Sequence, residues 1–147
     1  MNEHDSAGRL ADTPRVAVIN ASEEIAEMLS MVLQHAGIPT VMAYPLDFKR
    51  GRQDLAAFLA NYDPPVVLFD IAIPYAENWA FFERVRDSAA GRGRTFIVTT
   101  TNKRALEEIV GGTGAHEVIG KPYDLDAIVD AVRRALADQQ RRGRSDG

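Results

Sequence analysis

The chain has 147 residues, 46% of them hydrophobic, which suits one domain of ordinary size with a core of its own. A formal net charge of −4 spread along the sequence gives no electrostatic case for nucleic acid, and a mean hydropathy of −0.20 with no long apolar run argues against a membrane-spanning helix. Cysteine is absent, which excludes disulfides, a thiol nucleophile and a thiolate metal site; with no apolar leader in the first 14 residues, a cytoplasmic location is expected.

Residues 1–14 are polar with Gly and Pro, and residues 141–147 carry Arg141, Arg142 and Arg144. Both are expected to be flexible tails, the second one basic, around a folded domain over 15–140. Val16 to Ile19 is a continuous apolar run rich in β-branched residues, suited to a strand covered on both faces. Ser22 or Asn20 then caps a helix whose Ile25, Met28, Leu29, Val32 and Leu33 recur at three- and four-residue spacing up to Gly37. Thr40 to Ala43 reads as a second, less apolar strand, followed by a charged connection over Asp47 to Gln53 and an amphipathic helix over Leu55 to Asn61. Pro64-Pro65 stops that helix and launches a strand ending at Asp70.

Trp79, Phe82 and Val85 mark a third helix, closed by Gly91-Arg92-Gly93. Trp79 and Phe82 are expected in the core, with Phe81 the most exposed of the aromatic group. Phe96 to Thr99 is the fourth predicted strand, Lys103 to Val110 the fourth helix and Glu117 to Ile119 the fifth strand. The last helix follows Pro122 and buries Leu125, Ile128, Val129, Val132 and Leu136. His4, His35 and His116 show no metal-ligand spacing.

Five strands alternating with five helices predict parallel pairing, right-handed crossovers and helices on both faces, an α/β doubly wound sheet of the flavodoxin-like (βα)5 kind. Alternation alone does not fix the strand order. The flavodoxin-like order 2-1-3-4-5 would put Asn20 and Ala21 beside Asp70 at the carboxyl edge, where open α/β sheets gather function.

Asp70-Ile71-Ala72-Ile73-Pro74, Thr99-Thr100 and Lys121-Pro122 stand at three successive predicted strand ends. This pattern resembles the receiver domain of two-component response regulators over the whole folded part. The resemblance implies that Asp70 is the phosphoacceptor, that Thr100 or Thr99 and Lys121 contact the phosphoryl group, and that Pro74 and Pro122 order their loops. Counting from Asp70 favours Thr100, counting back from Lys121 favours Thr99, and strand alternation admits only one to the pocket; Thr100 is preferred here. The resemblance also implies a cis bond at Lys121-Pro122.

An aspartate that attacks a phosphoryl group approaches an anion and then holds a dianion, so cations and donors are needed to offset the repulsion. Family members meet this need with Mg²⁺ on an acidic pair after the first strand. Here that pair is Asn20-Ala21: a neutral amide oxygen and a methyl group that cannot ligate. Glu23 and Glu24 are weak substitutes, because carboxylates at a helix start are favoured by the helix dipole without any metal. The position three before Lys121, often aromatic in the family, is Val118. No cofactor is therefore expected, Mg²⁺-dependent phosphorylation of Asp70 is expected to be impaired or absent, and Asp70 is expected to pair with Lys121 and fix the loops.

The function expected from the resemblance is a stand-alone, atypical receiver acting in signal transduction through protein contacts rather than as an enzyme. The expected partners are a histidine kinase or a downstream regulator, or a second copy through the fourth helix, fifth strand and last helix. A conventional phospho-accepting regulator is the nearer alternative. A flavodoxin-like flavin or small-molecule binder is the alternative of another class, with Thr99 to Lys103 its one candidate phosphate loop.

Overall fold

Alternation within the apolar runs decides how the sheet is clothed. The computed structural model describes residues 13–51, 53–111, 117–121 and 123–146. Strands β1 (Val16–Ile19), β2 (Thr40–Ala43), β3 (Val66–Ile71), β4 (Thr95–Thr100) and β5 (Glu117–Gly120) form one sheet in the order β2-β1-β3-β4-β5, and every pairing is parallel. Helices α1 (Glu23–His35), α2 (Pro45–Lys49), α3 (Leu55–Tyr62), α4 (Tyr75–Asp87), α5 (Lys103–Val110) and α6 (Leu125–Asp146) complete the described secondary structure.

One set of strand residues, Ala17, Ile19, Val67, Phe69, Ile71, Phe96 and Val98, packs with Phe58 and Leu59 of α3, Trp79 and Phe82 of α4 and Leu106 of α5. Their neighbours in sequence, Val16, Val18, Val66, Leu68 and Ile97, pack with Leu29 and Leu33 of α1 and Ile128 and Val132 of α6. Each apolar strand thus serves two cores, which is why the runs are continuous rather than alternating. Trp79 and Phe82 are buried as expected, while Phe81 is the most accessible of the three.

Local chemistry sets the boundaries. Ser22 caps α1, its Oγ accepting the Ile25 N–H at 3.2 Å, while Asn20 serves the preceding turn by accepting the Ser22 N–H at 2.9 Å. Beyond α4, a Cβ on Gly91 would lie 2.0 Å from the Val85 carbonyl oxygen, so this turn requires glycine. Arg94 ties the same region together, donating to the carbonyls of Leu59, Pro64 and Ala90 and to Asp63.

Several boundaries differ from the sequence expectation. Part of the stretch read as a charged connection folds as α2, with Pro45 in its first turn where a missing N–H costs nothing. Strand β3 runs one residue past Asp70 because Ile71 still pairs with Thr100. Helix α6 continues to Asp146, through most of the segment expected to be a basic tail; Ala137, Gln139, Gln140, Arg141 and Arg142 favour its extension across residue 140. The N-terminal tail over residues 1–12 lies outside the described residues, as do His4 and His116.

Candidate functional site

Register settles which side chains meet at the carboxyl edge. Asp70 pairs with Thr99 across β3 and β4, and Ile71 with Thr100. Paired residues in a parallel sheet share a face and successive residues alternate, so Thr99 and Asp70 point to one side and Thr100 to the other. The Thr99 Oγ1 donates to Asp70 Oδ1 at 2.9 Å. Thr100 is fully buried, and its Oγ1 donates to the Ile71 carbonyl at 2.9 Å. The preference for Thr100 is thus corrected: Thr99 is the pocket hydroxyl, and Thr100 satisfies a backbone acceptor inside the sheet.

Tyr123, which sequence reasoning missed, supplies the second hydroxyl. Its O–H donates to Asp70 Oδ1 at a longer 3.4 Å. Burial, then the Asp70 charge, push the Tyr123 phenol up to about 12. Burial also holds the Asp70 carboxyl above its ordinary value; the hydrogen bonds from Thr99 and Tyr123 and the Lys121 charge only partly oppose this. The place of Tyr123 two residues after Lys121 was the one available signal, and it pointed to no chemistry by itself.

Lys121 reaches the edge because its N–H donates to the Thr100 carbonyl at 3.1 Å. Its ammonium lies 5.6 Å from the centre of the Tyr123 ring and acts on Asp70 through space. The expected Asp70–Lys121 ion pair is not formed among the described residues. The aromatic ring competes for the cation, and hydroxyls occupy Asp70 Oδ1. Asp70 Oδ2 has no hydrogen-bond partner among the described residues.

On the other flank, the pairing of Ile19 with Phe69 carries Asn20 alongside Asp70. Asn20 is only 2% exposed, and its Oδ1 is engaged by the Ser22 N–H; the Ala21 methyl lines the cleft that Asp70 also lines. Glu23 and Glu24 are exposed in the first turn of α1, where they complement the helix dipole. Among the described residues, no three His, Cys, Asp or Glu side chains are placed to hold a metal ion. An octahedral ion needing several free oxygens does not fit this donor set.

Pro74 follows a cis peptide bond after Ile73, caps α4, and accepts the Asn78 N–H at 3.1 Å. Asn78 Nδ2 in turn donates to the Ala72 carbonyl at 2.7 Å, and Lys49 donates to Asn78 Oδ1. This chain braces the loop after Asp70 against α2, and neither Lys49 nor Asn78 was legible as a site residue in the sequence. Pro122, and with it the expected cis bond, lies outside the described residues. Val118 is buried in the core shared with α4 and α5.

No protein-family model matches the chain. It is 28% identical over 127 residues to the response regulator Rre1 of Synechocystis sp., a match covering 79% of this chain and 55% of that protein. The chain therefore spans about half the length of that regulator. A solved structure described as a transiently phosphorylated "switch" in bacterial signal transduction superposes with a TM-score of 0.65 at 26% identity, covering 87% of this chain and 98% of the other. The beryllofluoride-activated NtrC4 receiver domain dimer gives a TM-score of 0.63 at 20% identity, covering 85% and 98%. No helix among the described residues is long and apolar enough to cross a membrane.

Proposed function

We propose that this chain, a response-regulator receiver domain by fold and by sequence similarity, transmits its signal through protein contacts with Mg²⁺-dependent phosphorylation of Asp70 impaired or absent. The observation that carries the reading is the flank of Asp70 facing β1. Ala21 presents a methyl group there, the amide oxygen of Asn20 already accepts the Ser22 N–H, and that of Asn78 accepts from Lys49. A phosphoryl donor at Asp70 would meet Thr99, Tyr123 and the Lys121 charge but, among the described residues, no set of carboxylates to hold a divalent cation.

Asp70 then serves as a half-buried acceptor that organises the ends of β3 and β4 and the start of α6. Partners are proposed from the family: a sensor kinase, a downstream regulator or a second copy. The NtrC4 receiver is a dimer in its activated form. The conventional phospho-accepting reading is supported by Thr99, whose hydroxyl already lies on the acceptor carboxylate.

Intact mass after incubation with acetyl phosphate and Mg²⁺ separates the two. The expected result is no phosphoryl addition to the wild type, with gain of Mg²⁺-dependent addition in the Asn20→Asp/Ala21→Asp variant. An Mg²⁺-dependent phosphoryl group on the wild type, lost in Asp70→Asn, would overturn the proposal.

A further inference from the structure

The flank of Asp70 that lacks metal ligands is concave and lined mainly by carbon. Ala21, Leu46, Ile73 and Phe81 contribute to a cleft of about 230 Å³ that also contains Asp70 and Lys49. Ile73 is 73% exposed and Leu46 48% exposed. Isolated exposed apolar residues are ordinary, but two that line one concave site leave contiguous surface whose covering would be favourable.

Size and chemistry narrow the occupant. The volume falls below the ~300–1,000 Å³ of sites for drug-sized ligands and suits one inserted side chain, the unit that dominates binding at protein interfaces. Covering Asp70 with hydrocarbon alone would leave its Oδ2 without a donor, whereas an aromatic ring bearing an O–H or N–H fills the apolar part and satisfies that oxygen. The raised Asp70 carboxyl agrees, since burial already disfavours the bare charge. Lys49 adds a charge preference: its exposed ammonium, held by Asn78 and 5.3 Å from the centre of the Phe81 ring, would meet a carboxylate beside the inserted ring.

We infer that the cleft over Asp70 receives a tyrosine or tryptophan side chain of a protein partner, with a neighbouring acidic residue of that partner on Lys49. The inference rests on the reading that this receiver works through protein contacts, and it places one such contact at the carboxyl edge of the sheet.

Two side-chain analogues, p-cresol and toluene, test the cleft in amide chemical-shift titrations of the full chain. Binding of p-cresol in the millimolar range is expected, with shifts centred on residues 44–49 and 69–73. Affinity should fall at least about tenfold in Ala21→Leu, which fills the cleft from an exposed position, and toluene should bind several-fold more weakly than p-cresol. Absence of saturable p-cresol binding, or affinity unchanged by Ala21→Leu, would overturn the inference.

Selection from a random peptide library on the wild type should enrich Tyr or Trp beside Asp or Glu, with the acidic preference lost on Lys49→Glu. Enriched peptides without an aromatic residue would count against it. Neither readout uses a phosphodonor or Mg²⁺, so a cleft that fails to bind leaves the phosphorylation result standing. Conversely, Mg²⁺-dependent phosphorylation with p-cresol binding intact would sink the functional reading alone.

Discussion

The two adjacent threonines at the end of β4 should behave differently when each is replaced by valine, an exchange that deletes a hydroxyl and keeps the branched shape. Thr99 donates to a carboxylate and Thr100 to a backbone carbonyl, both at 2.9 Å. A hydrogen bond to a charged group contributes about 1.5–3 kcal/mol, a neutral one about 0.5–1.5 kcal/mol. At neutral pH, Thr99→Val should therefore lower unfolding free energy by about 2 kcal/mol. The donated bond favours the carboxylate form, so its charged share is present above the Asp70 pKa and lost as pH falls through it. Because burial raises that pKa, the loss begins at a higher pH than for an ordinary aspartate. Urea denaturation at a series of pH values should show the cost of Thr99→Val shrinking toward about 1 kcal/mol in acid, with the Asp70 carboxyl titrating still higher by NMR. Thr100→Val strands a buried carbonyl and should cost about 1–3 kcal/mol with no such pH dependence. A pH-dependent cost for Thr100→Val and a flat one for Thr99→Val would refute the register argument.

Other outcomes follow from the same packing. Phe82 is fully buried among Phe69, Trp79 and Phe96, so Phe82→Ala should cost about 3–5 kcal/mol in denaturant unfolding. Arg94→Lys cannot reproduce three carbonyl contacts from one planar group and should lower stability by about 2 kcal/mol. Asp63→Asn, by contrast, removes an ion pair whose carboxylate is largely exposed and should cost under about 1 kcal/mol. In spectrophotometric titration Tyr123 should ionise near pH 12, and Tyr123→Phe should abolish that step. Since the folded phenol is raised, ionisation of Tyr123 should destabilise the fold as pH rises from about 10 toward 12.

Periodicity and punctuation were sufficient for the alternation of strands and helices, though not for the strand order or for α2. Continuous apolar runs at Val16, Val66 and Phe96 specify strands buried on both faces, and helical spacing from Ile25 to Leu33 and from Leu125 to Leu136 specifies the covering layers. Motif spacing brought Asp70, the threonine pair and Lys121 to one edge, and the composition of Asn20-Ala21 raised the question of the metal. These are properties of neighbours in sequence, which local steric and hydrophobic rules can resolve.

Tertiary structure decided what depends on register and on residues far apart in the chain. Counting from two ends gave two answers for the pocket hydroxyl; only the pairing of Asp70 with Thr99 could choose, because a slip of one residue reverses the face. Lys121 turned toward Tyr123 instead of forming an ion pair, a competition among three groups that no spacing encodes. The cleft above Asp70 likewise draws Ala21, Leu46, Ile73 and Phe81 from four separate segments. Sequence placed a carboxylate at the carboxyl edge of the sheet; the fold supplied its two hydroxyl donors and set a largely apolar cleft beside it.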